Sequence, residues 1–150
     1  KGNAVGVGTT MLLHCDVVVA APSANFSMPF ASLGLVPEAG SSYLFPALVG
    51  YQRAAKIFFT GESFGADAAL EMGLIAEIDS DAVAGATKIA QHIAEQPPQA
   101  IINTKALLKA RNHESVAAVM KAEFEIFAMA LQSDEAMEAF MKFMAKKGKS

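Results

Sequence analysis

Glu38 lies in the stretch VPEAGSS, residues 36–42, between a proline and a run of small residues, just after the mostly apolar FASLGL. Most of the other acids fall in stretches of helical spacing, where solvent or a basic residue one turn away accounts for them. A carboxylate with apolar residues before it and small ones after it sheds water and stays within reach of a ligand. Those are the conditions for a group that takes and returns a proton. Pro-Glu-Ala-Gly is also an ordinary turn sequence, so residue types alone leave Glu38 open to both readings.

Other chemistries find less support. The three histidines, His14, His92 and His113, are separated by long intervals and make no metal-ligand spacing, so no metal is expected. His14, beside Leu13 and Cys15, reads as a structural histidine, and Asp16 as a carboxylate bonded to nearby backbone. Ser41 and Ser42 have no Gly-x-Ser-x-Gly elbow around them, which disfavours a serine triad. Gly6 and Gly8 flank Val7 ahead of a candidate helix, where they permit a tight turn and close approach of a ligand to the first amides. Their spacing fits neither a dinucleotide fingerprint nor a phosphate-binding loop.

The elements that must position these residues are those of one α/β domain. The 150 residues, 53% of them apolar, suffice for a sizeable core. A net charge of −3 without a basic stripe speaks against nucleic acid as a partner. One cysteine, Cys15, excludes an intramolecular disulfide and suits a reducing compartment. No apolar run reaches the roughly 20 residues that span a bilayer, and the N-terminus lacks the pattern of a secretory signal. A soluble, cytoplasmic protein is expected, with no membrane partner.

The first half reads as short strands, CDVVVAAP, ANFSMPF and later LIAEI, with helices at 9–15, 42–49, 51–60 and 65–72, the last capped by Gly73. From residue 81 the pattern is helical throughout: 81–95, 98–111, 115–131 and 134–145, with Ser115 and Ser133 as N-caps and Pro98 in a first turn. Met120, Phe124, Phe127 and Leu131, then Met137, Phe140, Met141 and Met144, make apolar stripes suited to a core or a subunit interface. Lys142, Lys146, Lys147 and Lys149 form a basic end that complements the helix dipole.

Several motifs together, AVGVGTTMLLHCDVVVAAPSANFSMPFASLGLVPEAGSSYLFPALVG, FTGESFGADAALEMGLIAEI and SDEAMEAFMKF, resemble the crotonase (enoyl-CoA hydratase/isomerase) superfamily. They are most similar to its Δ3,Δ2-enoyl-CoA isomerase branch. The resemblance implies the C-terminal part of a β-β-α spiral in residues 1–80, followed by an α-helical trimerisation region in 81–150. The early strands, a second oxyanion donor and much of the CoA surface would then lie outside these residues.

Residue by residue, the resemblance makes the Val7 N–H, between Gly6 and Gly8, one of two donors to a thioester oxygen. The positions of the two hydratase acids are taken by Thr10 and Phe30, which disfavours hydration. Glu38 falls where isomerases with a PEGCSS loop keep their single acid, implying a 1,3-proton shift that converts a 3-enoyl-CoA into its 2-trans isomer. Gly6, Gly8, Phe30 and Phe124 are the implied substrate-binding residues, Phe124 near the CoA adenine and often from a neighbouring subunit. No cofactor is implied, since CoA belongs to the substrate. A homo-oligomer, a trimer or a pair of trimers, is the expected assembly. The same fold with a ring or branched acyl-CoA, and a non-catalytic acyl-CoA-binding or oligomerisation unit, are the alternatives.

Overall fold

The computed structural model describes residues 2–110 and 112–147, without the side chains of Lys146 and Lys147. Lys149 and Arg111, the expected end of the 98–111 helix, lie outside the described residues. Of the basic end, Lys142 is described, 3.7 Å from Glu138 one helical turn before it.

Five short strands are present among the described residues: β1 (Asn3–Val5), β2 (Val19–Ala20), β3 (Asn25–Ser27), β4 (Phe64–Gly65) and β5 (Glu77–Ile78). They form two sheets. In one, β1 runs parallel to β3, with Ala4 opposite Phe26, and β4 runs antiparallel to β3, with Phe64 opposite Phe26. In the other, β2 and β5 pair in parallel. The expected strands CDVVVAAP and LIAEI shrink to these two-residue pairings. The β4 strand falls at the expected start of the 65–72 helix, because its pairing with β3 sets Phe64 on Phe26, ring centroids 5.7 Å apart.

Eight helices are described: α1 (Val7–Thr10), α2 (Ser41–Val49), α3 (Tyr51–Thr60), α4 (Ala66–Glu71), α5 (Ala82–Ala94), α6 (Pro98–Ala110), α7 (His113–Ala130) and α8 (Asp134–Lys147). The helix expected at 9–15 begins two residues earlier, tightens into a 3-10 turn over Met11–His14, and ends before the extended Cys15. Gly73, at φ 77°, closes α4 as expected, and the Leu74 N–H donates to the Ala69 carbonyl. Asp81 caps α5 through the Ala84 N–H.

Two buried clusters hold these elements. Ala20, Phe26, Ala66, Ala69, Leu74 and Ile75 join the sheets to α4. Met28, Phe30, Phe45, Ile57 and Phe58 join α2 and α3, with Phe45 edge-on to Phe58 at 5.5 Å. Burying one such ring stabilises by about 2–3 kcal/mol, so this second cluster is what fixes the platform under the Glu38 loop.

Within the helical second half, α7 and α8 each reach this core, with Phe127 packed on the second cluster and Ala136 buried, whereas α6 lies at the surface. Every residue of α6 is exposed. Its described polar tethers are Lys105 and Lys109, both paired with Asp16, and Lys109 Nζ donates to the His14 carbonyl at 3.0 Å. Asp16 therefore binds lysines from a distant helix instead of the local backbone expected. Ser115 is not a cap, since α7 begins two residues before it. The preceding Asn112 uses Oδ1 to accept from the Tyr43 hydroxyl at 3.3 Å. Ser133 does cap α8, accepting the Ala136 N–H at 3.1 Å.

Candidate active site

The turn at Gly6 joins β1 to α1. The Gly6 N–H donates to the Ser27 carbonyl, while the amides of Thr9 and Thr10 donate back to the Gly6 carbonyl at 2.8 and 3.0 Å. The Thr9 hydroxyl, buried, is shared between the carbonyls of Ala4 (2.6 Å) and Ser27 (3.2 Å), which pins α1 to both parallel strands. The amides of Val7 and Gly8 begin the helix and have no helical carbonyl to reach. Among the described residues they bind no other acceptor.

The Glu38 loop crosses this turn. The N–H groups of Leu33 and Leu35 donate to the Phe30 carbonyl and that of Gly34 to the Ala31 carbonyl, and the chain then enters α2 through Ala39 at φ 56° and Gly40 at φ 72°. Three side chains from elsewhere grip the loop. The Thr10 hydroxyl donates to Glu38 Oε1 at 2.5 Å. His14 Nε2 lies 2.6 Å from the Ala39 carbonyl, so that nitrogen carries the proton and donates. Glu123, on α7, accepts the N–H groups of Gly40 at 2.6 Å and Ser42 at 2.9 Å.

Glu38 is half-buried and opens on a cavity of about 680 Å³ lined also by Val7, Phe30, Met120, Glu123, Phe124 and Phe127. Four of the residues singled out from sequence, Val7, Phe30, Glu38 and Phe124, thus meet at one site, with Gly6 and Gly8 on either side of Val7. Phe30 is at once core and cavity wall, at 6% exposure. Phe124 belongs to the cavity of its own chain and remains 72% exposed. His14 bonds the Ala39 carbonyl and does not line this cavity.

Glu123 was not among the residues picked out from sequence, and a signal for it existed. It lies on the apolar stripe of Met120, Phe124, Phe127 and Leu131, where a carboxylate needs donors. The N-terminus of α2 begins at Gly40, which has no side chain to cap it.

Among the described residues no group of three His, Cys, Asp or Glu side chains is placed to hold a metal ion, and no helix is long and apolar enough to cross a membrane. What the site offers among the described residues is the Glu38 carboxylate with a single hydrogen-bond donor on one oxygen, a Glu123 carboxylate with both oxygens engaged by backbone N–H groups, free amides at a glycine turn and an apolar wall. Such a set can move a proton on a carbon acid next to a carbonyl.

The profile of the enoyl-CoA hydratase/isomerase family matches residues 1–149. The chain belongs to this enzyme family. Rat enoyl-CoA delta isomerase 2 is 32% identical to it over 152 residues, covering 99% of the chain and 39% of that protein. The 1,2-epoxyphenylacetyl-CoA isomerase of Escherichia coli is 31% identical over 149 residues, covering 98% of the chain and 57% of that protein. An enoyl-CoA hydratase/isomerase structure from Pseudoalteromonas atlantica superposes with a TM-score of 0.93 at 44% identity, over 97% of this chain and 59% of its own. The chain therefore has the mixed α/β crotonase-like fold, and it spans roughly 40–60% of the length of these relatives.

Proposed function

We propose that the protein carrying this chain is an acyl-CoA isomerase that shifts the double bond of a 3-enoyl-CoA to the 2-trans position, with Glu38 as its single acid and base. The observation that carries this reading is the pairing within one cavity of a reachable carboxylate with an apolar wall, while the two hydratase acid positions hold Thr10 and Phe30. Neither a threonine nor a phenylalanine can deprotonate water for addition. The similarity to an enoyl-CoA delta isomerase points the same way.

In this mechanism Glu38 takes a proton from C2. The electron pair left behind delocalises into the thioester carbonyl as an enolate, whose developing charge the Val7 N–H stabilises as one of two donors. The C3–C4 double bond then shifts to C2–C3 as the proton returns at C4. The proton removed is the proton returned, so no co-reactant is consumed and CoA enters only as part of the substrate. Gly6 and Gly8 let the thioester approach the turn, and Phe30 and Phe124 contact the acyl-CoA. The aromatic wall of Phe30, Phe124 and Phe127 favours a second reading, a ring-bearing acyl-CoA, in which the same enolate chemistry acts on a different acyl group.

We assign the protein to a cytosolic setting and to a homo-oligomer, a trimer or a pair of trimers, in which the helical region 81–150 meets its neighbours. The exposed Met137, Phe140, Met141 and Met144 of α8 support such packing.

The test is conversion of a 3-enoyl-CoA by the full-length protein, read from the absorbance of the conjugated thioester, with Glu38→Gln beside it. The variant should keep acyl-CoA affinity and lose at least about a hundredfold in turnover. Binding without turnover by the unmodified protein would sink the isomerase reading and leave a non-catalytic acyl-CoA-binding unit.

A further inference from the structure

We propose that Thr10 is a positioning residue which commits Glu38 to react through Oε2, an inference that rests on Glu38 being the base. Thr10 is fully buried at the end of α1, and its hydroxyl lies 2.5 Å from Glu38 Oε1. A hydroxyl has one proton to give, and an ionised carboxylate can only accept, so the proton of Thr10 is spent on Oε1. The hydroxyl is held in place. The Thr10 N–H is bonded to the Gly6 carbonyl, and the neighbouring Thr9 hydroxyl ties the same turn to the carbonyls of Ala4 and Ser27. Among the described residues Glu38 Oε2 has no donor, which leaves it the oxygen available to the substrate.

The arrangement suits both halves of a 1,3-proton shift. When Oε2 takes the proton from C2, Oε1 becomes the carbonyl oxygen of the acid and still accepts from Thr10. The carboxyl plane is then fixed in both protonation states, and the proton stays on Oε2 for delivery to C4. Without the hydroxyl the group is free to turn about its last torsion, and the ionised form loses a charge-assisted bond.

Two readouts on the full-length protein test this, using Thr10→Val and Thr10→Ser. Thr10→Val should lower kcat about tenfold or more with KM nearly unchanged. Thr10→Ser should restore kcat. The 13C resonance of the Glu38 side-chain carboxyl, followed without substrate, should move in Thr10→Val and return in Thr10→Ser. A Val variant with unaltered kcat and resonance overturns the proposal. Absence of isomerase turnover in the unmodified protein, with the resonance still moving, would instead overturn the isomerase reading while the Thr10–Glu38 bond stands. Should Thr10→Val fail to fold, Thr10→Ala removes the same hydroxyl from a smaller side chain and decides by the same two readouts.

Discussion

Glu123 caps a helix that is not its own: its carboxylate, 6% exposed on α7, accepts the Gly40 N–H at the N-terminus of α2, 83 positions earlier in the chain, at 2.6 Å. The Ser42 N–H fills its other oxygen at 2.9 Å. A negative group at a helix N-terminus is favourable for both charge and hydrogen bonding. Here the same contact also fixes the C-terminal side of the Glu38 loop and seats α7 over the cavity.

Glu123→Ala should therefore act on stability and on the site together. Two amides in a poorly hydrated position lose their acceptor, which costs about 2 kcal/mol. Thermal unfolding should show a lowered midpoint. Turnover should fall by more than the loss of folded protein explains, because Ala39 and Gly40 are then held on one side only. Glu123→Gln, which keeps one acceptor oxygen, should lie between the two. An Ala variant as stable as the unmodified protein would mean that α2 finds its cap elsewhere.

The docking of α8 hangs on a different close approach. Gly34, at φ 66°, turns the chain after the 3-10 segment Ala31–Leu33, and a Cβ placed on it would lie 2.9 Å from the backbone of Ala136. A backbone cannot rotate away as a side chain can, and the left-handed conformation already costs a non-glycine residue about 1–2 kcal/mol. Gly34→Ala should displace α8 while leaving the clusters around Phe26 and Phe45 intact. Amide exchange read by mass spectrometry should show lost protection confined to α8 and its neighbours. Protection lost evenly across the chain would contradict the separation of α8 from the core.

The elements legible in the sequence were those whose cause is local. Helices α2 to α8 follow apolar spacing, and Gly73, Pro98 and Ser133 do at their ends what their residue types favour. Glu38 was visible because its neighbours are unusual for an acid, and Val7, Phe30 and Phe124 became visible through a family resemblance. What was hidden is non-local. The partners of Glu123 are backbone amides, which have no residue type to betray them, and Asp16 meets Lys105 and Lys109 from a helix far along the chain. Asn112 displaced Ser115 at the start of α7 although its side chain is engaged by Tyr43 and caps nothing.

Acid should loosen α6. The hydrogen bond from Lys105 is the main reason the Asp16 carboxyl is held below the usual carboxylate range, and the charges of Lys105 and Lys109 add to it. A carboxylate whose folded pKa is depressed contributes stability above its unfolded pKa and loses it as pH falls through the folded value. The tether should thus be whole at neutral pH and fail below about pH 4. Because the pair is exposed, its contribution is small and screened by salt. Amide exchange in α6, corrected for the intrinsic pH dependence of exchange, should rise selectively in that range. Asp16→Asn should already show the acid level of exchange at pH 7.

Ala39 stands next to the proposed base in a conformation that its side chain disfavours. At φ 56° it is the positive-φ residue among the described non-glycines, and it is kept there by the His14 bond to its own carbonyl and by Glu123 on the following amide. Strain of this kind persists only where surrounding contacts over-determine the backbone. Ala39→Gly removes the steric cost of the left-handed region, about 1–2 kcal/mol, and gives back part of it as chain entropy in the unfolded state. A net gain of about 0.5–1 kcal/mol in unfolding free energy is expected. Without the Cβ to confine the dihedrals, Glu38 should sample more orientations, so turnover should not rise with stability. The sharper outcome lies in combination: His14→Phe should cost more stability in the otherwise unmodified protein than in the Ala39→Gly background, since only the former needs the tether to hold a strained residue. Equal costs in a double-mutant cycle would show that His14 does not maintain the strain.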